Sequence, residues 1–227
     1  WRSEAEWPLA RTEYTDYYIH GNSGANSGYG DGVLSKDQPG DGPPDRYDYD
    51  PTNPVPTMGG PIMHAVYGGA QDRRPVEQRD DVLVYTSEPL ERDLEVTGPV
   101  TMTLYASSTA PDTDFTGTLV DVHPDGRAIN ICEGLRRARF RDSIEEPVLI
   151  EPGRAYQYEI DLWETSNVFK MGHRLRVEVS SSNFPRFDRN LNTGHQPGID
   201  ADMQVAGQTV YHDSLRPSHI TLPVIPR

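Results

Sequence analysis

The chain has 227 residues, 35% of them hydrophobic, with 20 Gly, 20 Pro and a formal net charge of −14. Its length suits one large domain or two small ones, with a core burying roughly 70% of the unfolded surface. The charge excludes nucleic acid as a partner, since counterion release needs clustered Lys and Arg. No apolar run is long enough to span a membrane, and the lone Cys132 rules out an intrachain disulfide.

Continuous 3.6-residue periodicity is almost absent, whereas twelve Tyr and the Val- and Thr-rich runs favour strands. Ser3 to Pro8 reads as one capped helical turn, and Thr12 to His20 as a strand. Gly21 to Pro44 collapses into turn residues around a short strand at Val33–Ser35. Arg46 to Asp50 alternates and stops at Pro51. Gly59-Gly60 predicts a sharp turn that sets the direction of the next segment.

Beyond a polar loop at 71–81 the strands recur: 82–87, 100–107, 115–123, 129–132 with 135–139, 156–162, 173–181, 209–212 and 219–224. Met102, Leu104 and Ala106 share a face, as do Tyr156, Tyr158, Ile160 and Leu162. Leu175, Val177 and Val179 oppose Arg174, Arg176 and Glu178, which predicts a half-buried strand. His123-Pro-Asp-Gly126 and Glu151-Pro-Gly153 are turn signals. Antiparallel strands with one apolar face need a second layer, so the fold expected is an all-β, jelly-roll β-sandwich. Arg137, Arg139 and Arg141 alternate and are assigned to the wet face of one strand.

Reactive chemistry is sparse. Gly21-Asn-Ser-Gly-Ala25 lacks the last Gly of a nucleophile elbow and any following helix, so it is a turn. None of the seven His is spaced to pair with another as a metal ligand, and no metal or cofactor is expected. His212-Asp213 and His219 have no serine nucleophile context and are assigned to surface or interface hydrogen bonding. Asp37 to Asp45 is oxygen-rich, yet it reads as turn chemistry rather than a Ca²⁺ loop. Glu145-Glu146 and Asp80-Asp81 are solvated pairs. Cys132, flanked by apolar residues, is a small core side chain. Asp114, and Asn183, Asp188, Asn190 and Asn192 in the 180–194 corner, are expected to satisfy backbone groups.

Several ordered motifs carry a family resemblance. They are Trp1 to Pro8, Tyr47-Asp-Tyr-Asp-Pro-Thr-Asn-Pro-Val-Pro-Thr-Met-Gly-Gly60, Arg79 to Tyr85, Asp112 to Ala128, Ser166 to Phe169, Ser180 to Gly194 and Pro217 to Ile220. Together they resemble the C-terminal domain of the serine hydrolases grouped with cocaine esterase, the α-amino-acid ester hydrolases and Xaa-Pro dipeptidyl-peptidases. The resemblance implies a single galactose-binding-like jelly roll over residues 1–227. Residues 1–60 would link from a catalytic domain and begin the strands, and 61–227 would form the main sandwich. It also implies an upstream α/β-hydrolase domain carrying the Ser, His and Asp, so no catalytic residue is expected here.

In such enzymes the domain packs on the catalytic domain, helps close the active-site cleft and often supports dimers, so a homo-oligomer is expected. The parent's substrate is a small-molecule ester, an α-amino-acid ester or an Xaa-Pro peptide. After Gly59-Gly60 the family places a side chain at the substrate's acyl group, and the matching positions are Met63 and His64. A start on Trp1-Arg2 suggests a piece of something longer. Nothing there resembles a signal peptide, so a cytoplasmic location is favoured without excluding export. The rival reading is a carbohydrate-binding module built on Trp1, Trp7, Trp163 and the Asp-rich loop.

Overall fold

The structure is a computed structural model that describes residues 3–63, 66, 68–199 and 201–226. Its strands are β1 (Glu13–His20), β2 (Val33–Ser35), β3 (Asp45–Tyr49), β4 (Leu83–Thr86), β5 (Leu94–Ser108), β6 (Asp114–Val122), β7 (Ala128–Arg137), β8 (Tyr156–Phe169), β9 (Arg174–Ser180), β10 (Ala206–Asp213), β11 (Arg216–Pro217) and β12 (His219–Ile225). Among the described residues a single 3₁₀ turn, Ala138–Phe140, interrupts them, and no helix is long and apolar enough to cross a membrane. Residues 5–8 form bends and Ser3 and Glu4 have no regular structure, so the helical turn expected there is corrected; the Trp7-Pro8 bond is cis.

The hydrogen-bonded path runs β11-β10-β5-β12-β1-β2-β4-β9-β6-β7, with β3 added to β10 and β8 to β5. Pairings between these strands are antiparallel apart from Val33 with Thr86, where β2 meets β4, and the isolated bridge Pro56–Phe184 is also parallel. This one mixed sheet folds over a shared core. Met102, Leu104, Ile160, Leu162, Ile220 and Leu222 come from one side. Phe115, Leu119, Leu175, Val177, Val179 and Tyr85 come from the other.

Two contacts fix the layers face to face. The Phe115 and Tyr158 rings lie 4.8 Å apart between β6 and β8. A methyl added at Gly117 in β6 would sit 3.1 Å from the Met102 sulfur in β5. The all-β expectation is met, and the layering is consistent with a sandwich.

Two strands are longer than the sequence pattern implied. β5 begins at Leu94 and β8 continues to Phe169, pairing from Leu94↔Phe169 to Ala106↔Tyr156. The register shifts between Pro99 and Thr101, opposite Trp163 at φ 69°. Such a bulge absorbs the irregular residues while the ladder continues. Gly98-Pro99 and Glu164 to Asn167 therefore look like turn sequence although they are strand.

β9 also departs from expectation. Its core face is Leu175, Val177 and Val179, but Glu178 on the opposite face is buried as well. The residues 71–81 segment folds across that face and supplies Arg73 to pair with Glu178.

Candidate functional site

Gly59 and Gly60 sit at φ +84° and +87°, the left-handed region that L side chains rarely adopt. Space excludes a side chain too, because an added Cβ at Gly60 would lie 2.3 Å from Glu133 Oε1. At Gly59 it would lie 2.3 Å from Asn130 Oδ1. Gly60 pairs with Gly69 through Gly60 N–H to Gly69 O at 3.0 Å and Gly69 N–H to Gly60 O at 2.9 Å, which closes the loop between them. Asn130 Oδ1 accepts from Gln71 N–H at 2.8 Å, tying the returning limb to β7. Met63 lies on this loop and is fully exposed. His64 lies outside the described residues.

Under the loop is a layer of buried charge. Arg73, with 5% of its side chain exposed, donates through Nε and Nη2 to Glu178 and through Nη1 to Met58 O at 2.9 Å. Arg186 pairs with Glu133, and Arg176 Nη1 with Glu77 Oε2 at 2.6 Å. Desolvation, then the nearby Glu178 charge, pushes the Glu77 carboxyl up to about 7. Beside the loop a cleft of about 420 Å³ is bordered by Gly60, Pro61, Ile131, Cys132, Leu162 and Trp163. Cys132 is buried, and desolvation drives its thiol up to about 12, which makes it a core residue as expected.

A second charged cluster organises the 180–194 corner. Arg137 forks onto Asp114 at 2.9 and 3.1 Å, and Arg139 Nε onto Asp112 at 2.8 Å. Asn190 Nδ2 reaches both aspartates at 2.9 Å. The wet-face assignment of Arg137, Arg139 and Arg141 is thereby corrected. β7 ends at Arg137 and the 3₁₀ turn rotates Arg139 inward, so all three side chains are largely covered. The Asp114 role is structural, as expected, although its partners are side chains rather than backbone amides. Burial raises its carboxyl to about 6 despite Arg137. Asn192 meets the backbone expectation, with Nδ2 donating to Gln204 O at 2.8 Å.

Other assignments change with the fold. His212 is buried, with Nε2 2.9 Å from Asp45 Oδ2, which also accepts from Tyr85 OH at 2.9 Å. His212 and Asp45 are therefore core residues, not parts of a surface patch and an oxygen-rich loop. Ser23 lies in a surface turn and donates to Pro44 O at 3.0 Å. Ser35 Oγ contacts His20 Nε2 at 3.1 Å, but the same oxygen accepts from Asp37 N–H and lies at the end of β2. His20 is held below its ordinary range by burial, and its further bond is to the Asp37 backbone, not to a carboxylate. That arrangement lacks the orienting third group of a catalytic triad.

Sequence spacing offered no paired metal ligands, yet the fold brings His123 and His173 together beside Asp121. Spacing also left Arg73, Glu77, Glu133 and Arg186 unread. The alternation of Arg174, Arg176 and Glu178 was their one local signal, and it resembles an ordinary solvated strand face.

Fold and surface thus define an all-β domain whose buried charges pack against the Gly59-Gly60 turn. The chain belongs to the family of X-Pro dipeptidyl-peptidase C-terminal non-catalytic domains, whose model matches residues 1–221. It is 48% identical over 233 residues to the cocaine esterase of Rhodococcus sp. (strain MB1 Bresler), covering 100% of this chain and 40% of that protein. An α-amino acid ester hydrolase structure superposes with a TM-score of 0.80 at 30% identity, over 93% of this chain and 36% of that one. An aminopeptidase from a marine sediment archaeon, Thaumarchaeota archaeon, gives 0.85 at 28% identity, over 97% and 38%. The chain therefore spans about two fifths of the length of these relatives.

Proposed function

We propose that this domain serves a serine acyl hydrolase by packing on an α/β-hydrolase domain upstream of it, where it helps close the active-site cleft and supports homo-oligomeric assembly. The reading is carried by the end-to-end likeness to a cocaine esterase more than twice as long. The upstream domain supplies the Ser, His and Asp, and acyl transfer runs through an acyl-enzyme there. The substrate is a small ester, an α-amino-acid ester or an Xaa-Pro peptide.

Within this reading Met63 meets the acyl group. Its support is a wholly exposed apolar side chain that follows closely on a double-glycine turn packed against a buried ion pair. Thioethers adapt to irregular apolar surfaces, which suits contact with a substrate. His64, next in sequence, adds a polar group suited to amino-acid acyl portions. The relatives named above are hydrolases by name, and the carbohydrate-binding alternative finds no support in them.

The test compares the 227-residue chain with the same chain attached to its upstream sequence. The first hydrolyses no p-nitrophenyl ester; the second does, and a serine-directed inhibitor stops it. In the longer protein Met63→Ala lowers kcat/KM by about 10-fold, the scale of one lost apolar contact, with an unchanged melting temperature. Inhibitor-sensitive turnover by the short chain refutes the division of labour. Unchanged kinetics in the variant refute the role of Met63.

A further inference from the structure

The ends of β6 and β9 carry a cluster that the proposed role in acyl transfer does not use. Asp121, His123 and His173 each present a ligand atom, and all three atoms lie within 4.8 Å of one another. The placement comes from strand register. β6 pairs antiparallel with β9 through Asp121↔Leu175 and Val122↔Arg174. The next step beyond the ladder sets position 123 opposite position 173.

Facing is set by the same register. Phe115 and Leu119 point into the core, so Asp121 and His123 continue that face at two-residue steps. Leu175, Val177 and Val179 point into the core, so His173 does likewise. The cluster thus lies on the inner face where the sandwich opens at one end. Turn geometry holds both histidines: His123 N–H donates to Arg127 O at 2.8 Å, and His173 N–H to Lys170 O at 3.0 Å.

We infer that Asp121, His123 and His173 form a binding site for a divalent transition-metal ion, with zinc the best match. Two imidazoles and a carboxylate are a borderline donor set, suited to zinc or cobalt and unlike the all-oxygen sets that hold calcium or magnesium. Zinc bonds of about 2.0–2.2 Å place tetrahedral donor atoms about 3.3 Å apart. The observed separations bracket that value, with His173 Nδ1 to Asp121 Oδ1 at 2.8 Å and His123 Nε2 to Asp121 Oδ2 at 3.9 Å. The imidazole rings are 4.4 Å apart and tilted by 38°.

Small side-chain rotations convert this arrangement into coordination. Asp121 is buried, and His123 keeps 26% of its side chain exposed. One coordination position therefore remains for water, and His123 also borders a cleft of about 370 Å³. Arg127 donates to His123 Nδ1 at 3.3 Å while pairing with Asp125. Coordination through Nε2 moves the imidazole proton to Nδ1, so Arg127 must turn away, and its half-exposed position allows that. The bound ion ties the β6–β7 hairpin to the turn between β8 and β9.

The test uses protein without a polyhistidine tag, stripped with EDTA and titrated with ZnCl₂ and CaCl₂ in separate calorimetry runs. One zinc per chain is expected, with no saturable calcium uptake. His123→Gln and His173→Gln each weaken zinc binding by at least about 10-fold, with circular dichroism confirming an intact fold. Cobalt in place of zinc gives a visible absorption band that His123→Gln abolishes. His123→Gln perturbs least, because its side chain is the most exposed of the three. Zinc uptake that is absent, or equal in the parent and His123→Gln, overturns the site.

Discussion

Replacing Arg73 by Met tests whether the charged layer beside the Gly59-Gly60 turn is held by pairing. Arg73 is 4% exposed, and its three donors go to the two Glu178 oxygens and to Met58 O. Met keeps much of the volume but removes every donor. Removing one partner of a buried pair costs about 3–5 kcal/mol, because the other charge is left in a medium that does not solvate it. The orphaned Met58 carbonyl adds about 1 kcal/mol. For a domain of this size each kcal/mol lowers the melting midpoint by about 2–4 °C, so a fall of about 8–24 °C is expected. Urea denaturation followed by tryptophan fluorescence measures the loss directly.

Removing both charges together separates pairing from packing. Arg73→Met with Glu178→Met removes both charges and recovers at least half of the loss. A loss under about 1 kcal/mol, or one that the double substitution does not reduce, refutes the view that pairing holds this layer.

Three further outcomes concern other buried groups and the double-glycine turn. Glu77 has a native value of about 7 against an ordinary 4.5, and Asp114 about 6 against 3.8, so the folded state holds these protons more tightly than the unfolded state. Stability therefore falls as pH rises from about 4 to 7, and Glu77→Gln flattens the upper part of that slope in denaturation series. Gly60→Ala forces a side chain to φ +87° and against Glu133, destabilising by at least about 1–2 kcal/mol in thermal melts. Cys132, buried and raised to about 12, stays unreactive toward a thiol reagent at pH 8 and reacts fully in urea; rapid native labelling contradicts its core placement.

Much of the fold was legible because strand signals are local. The alternation at Met102, Leu104 and Ala106, and at Leu175, Val177 and Val179, predicts faces that are buried in the core. The His123 to Gly126 and Glu151 to Gly153 turns also form, with Gly126 N–H to His123 O at 2.9 Å and Arg154 N–H to Glu151 O at 3.1 Å. The full lengths of β5 and β8 were hidden, because a bulge lets Gly98-Pro99 and Trp163 sit inside a ladder that their local sequence would end. Met63 was marked only by its place after Gly59-Gly60, and its exposure is a property of the folded loop.

The sequence by itself determined the all-β class, most strand faces, the core position of Cys132 and the family, since each rests on short-range pattern or ordered motifs. Tertiary structure alone decided where the charges go. Arg139 turns inward because β7 ends two residues before it, and Glu178 is covered because Arg73 arrives from another segment. His123 and His173 meet through strand register, not spacing. An ionisable side chain on a strand looks the same in sequence whether it faces water or a distant partner. The free energy that separates those cases comes from desolvation and pairing, which exist only once the segments have come together.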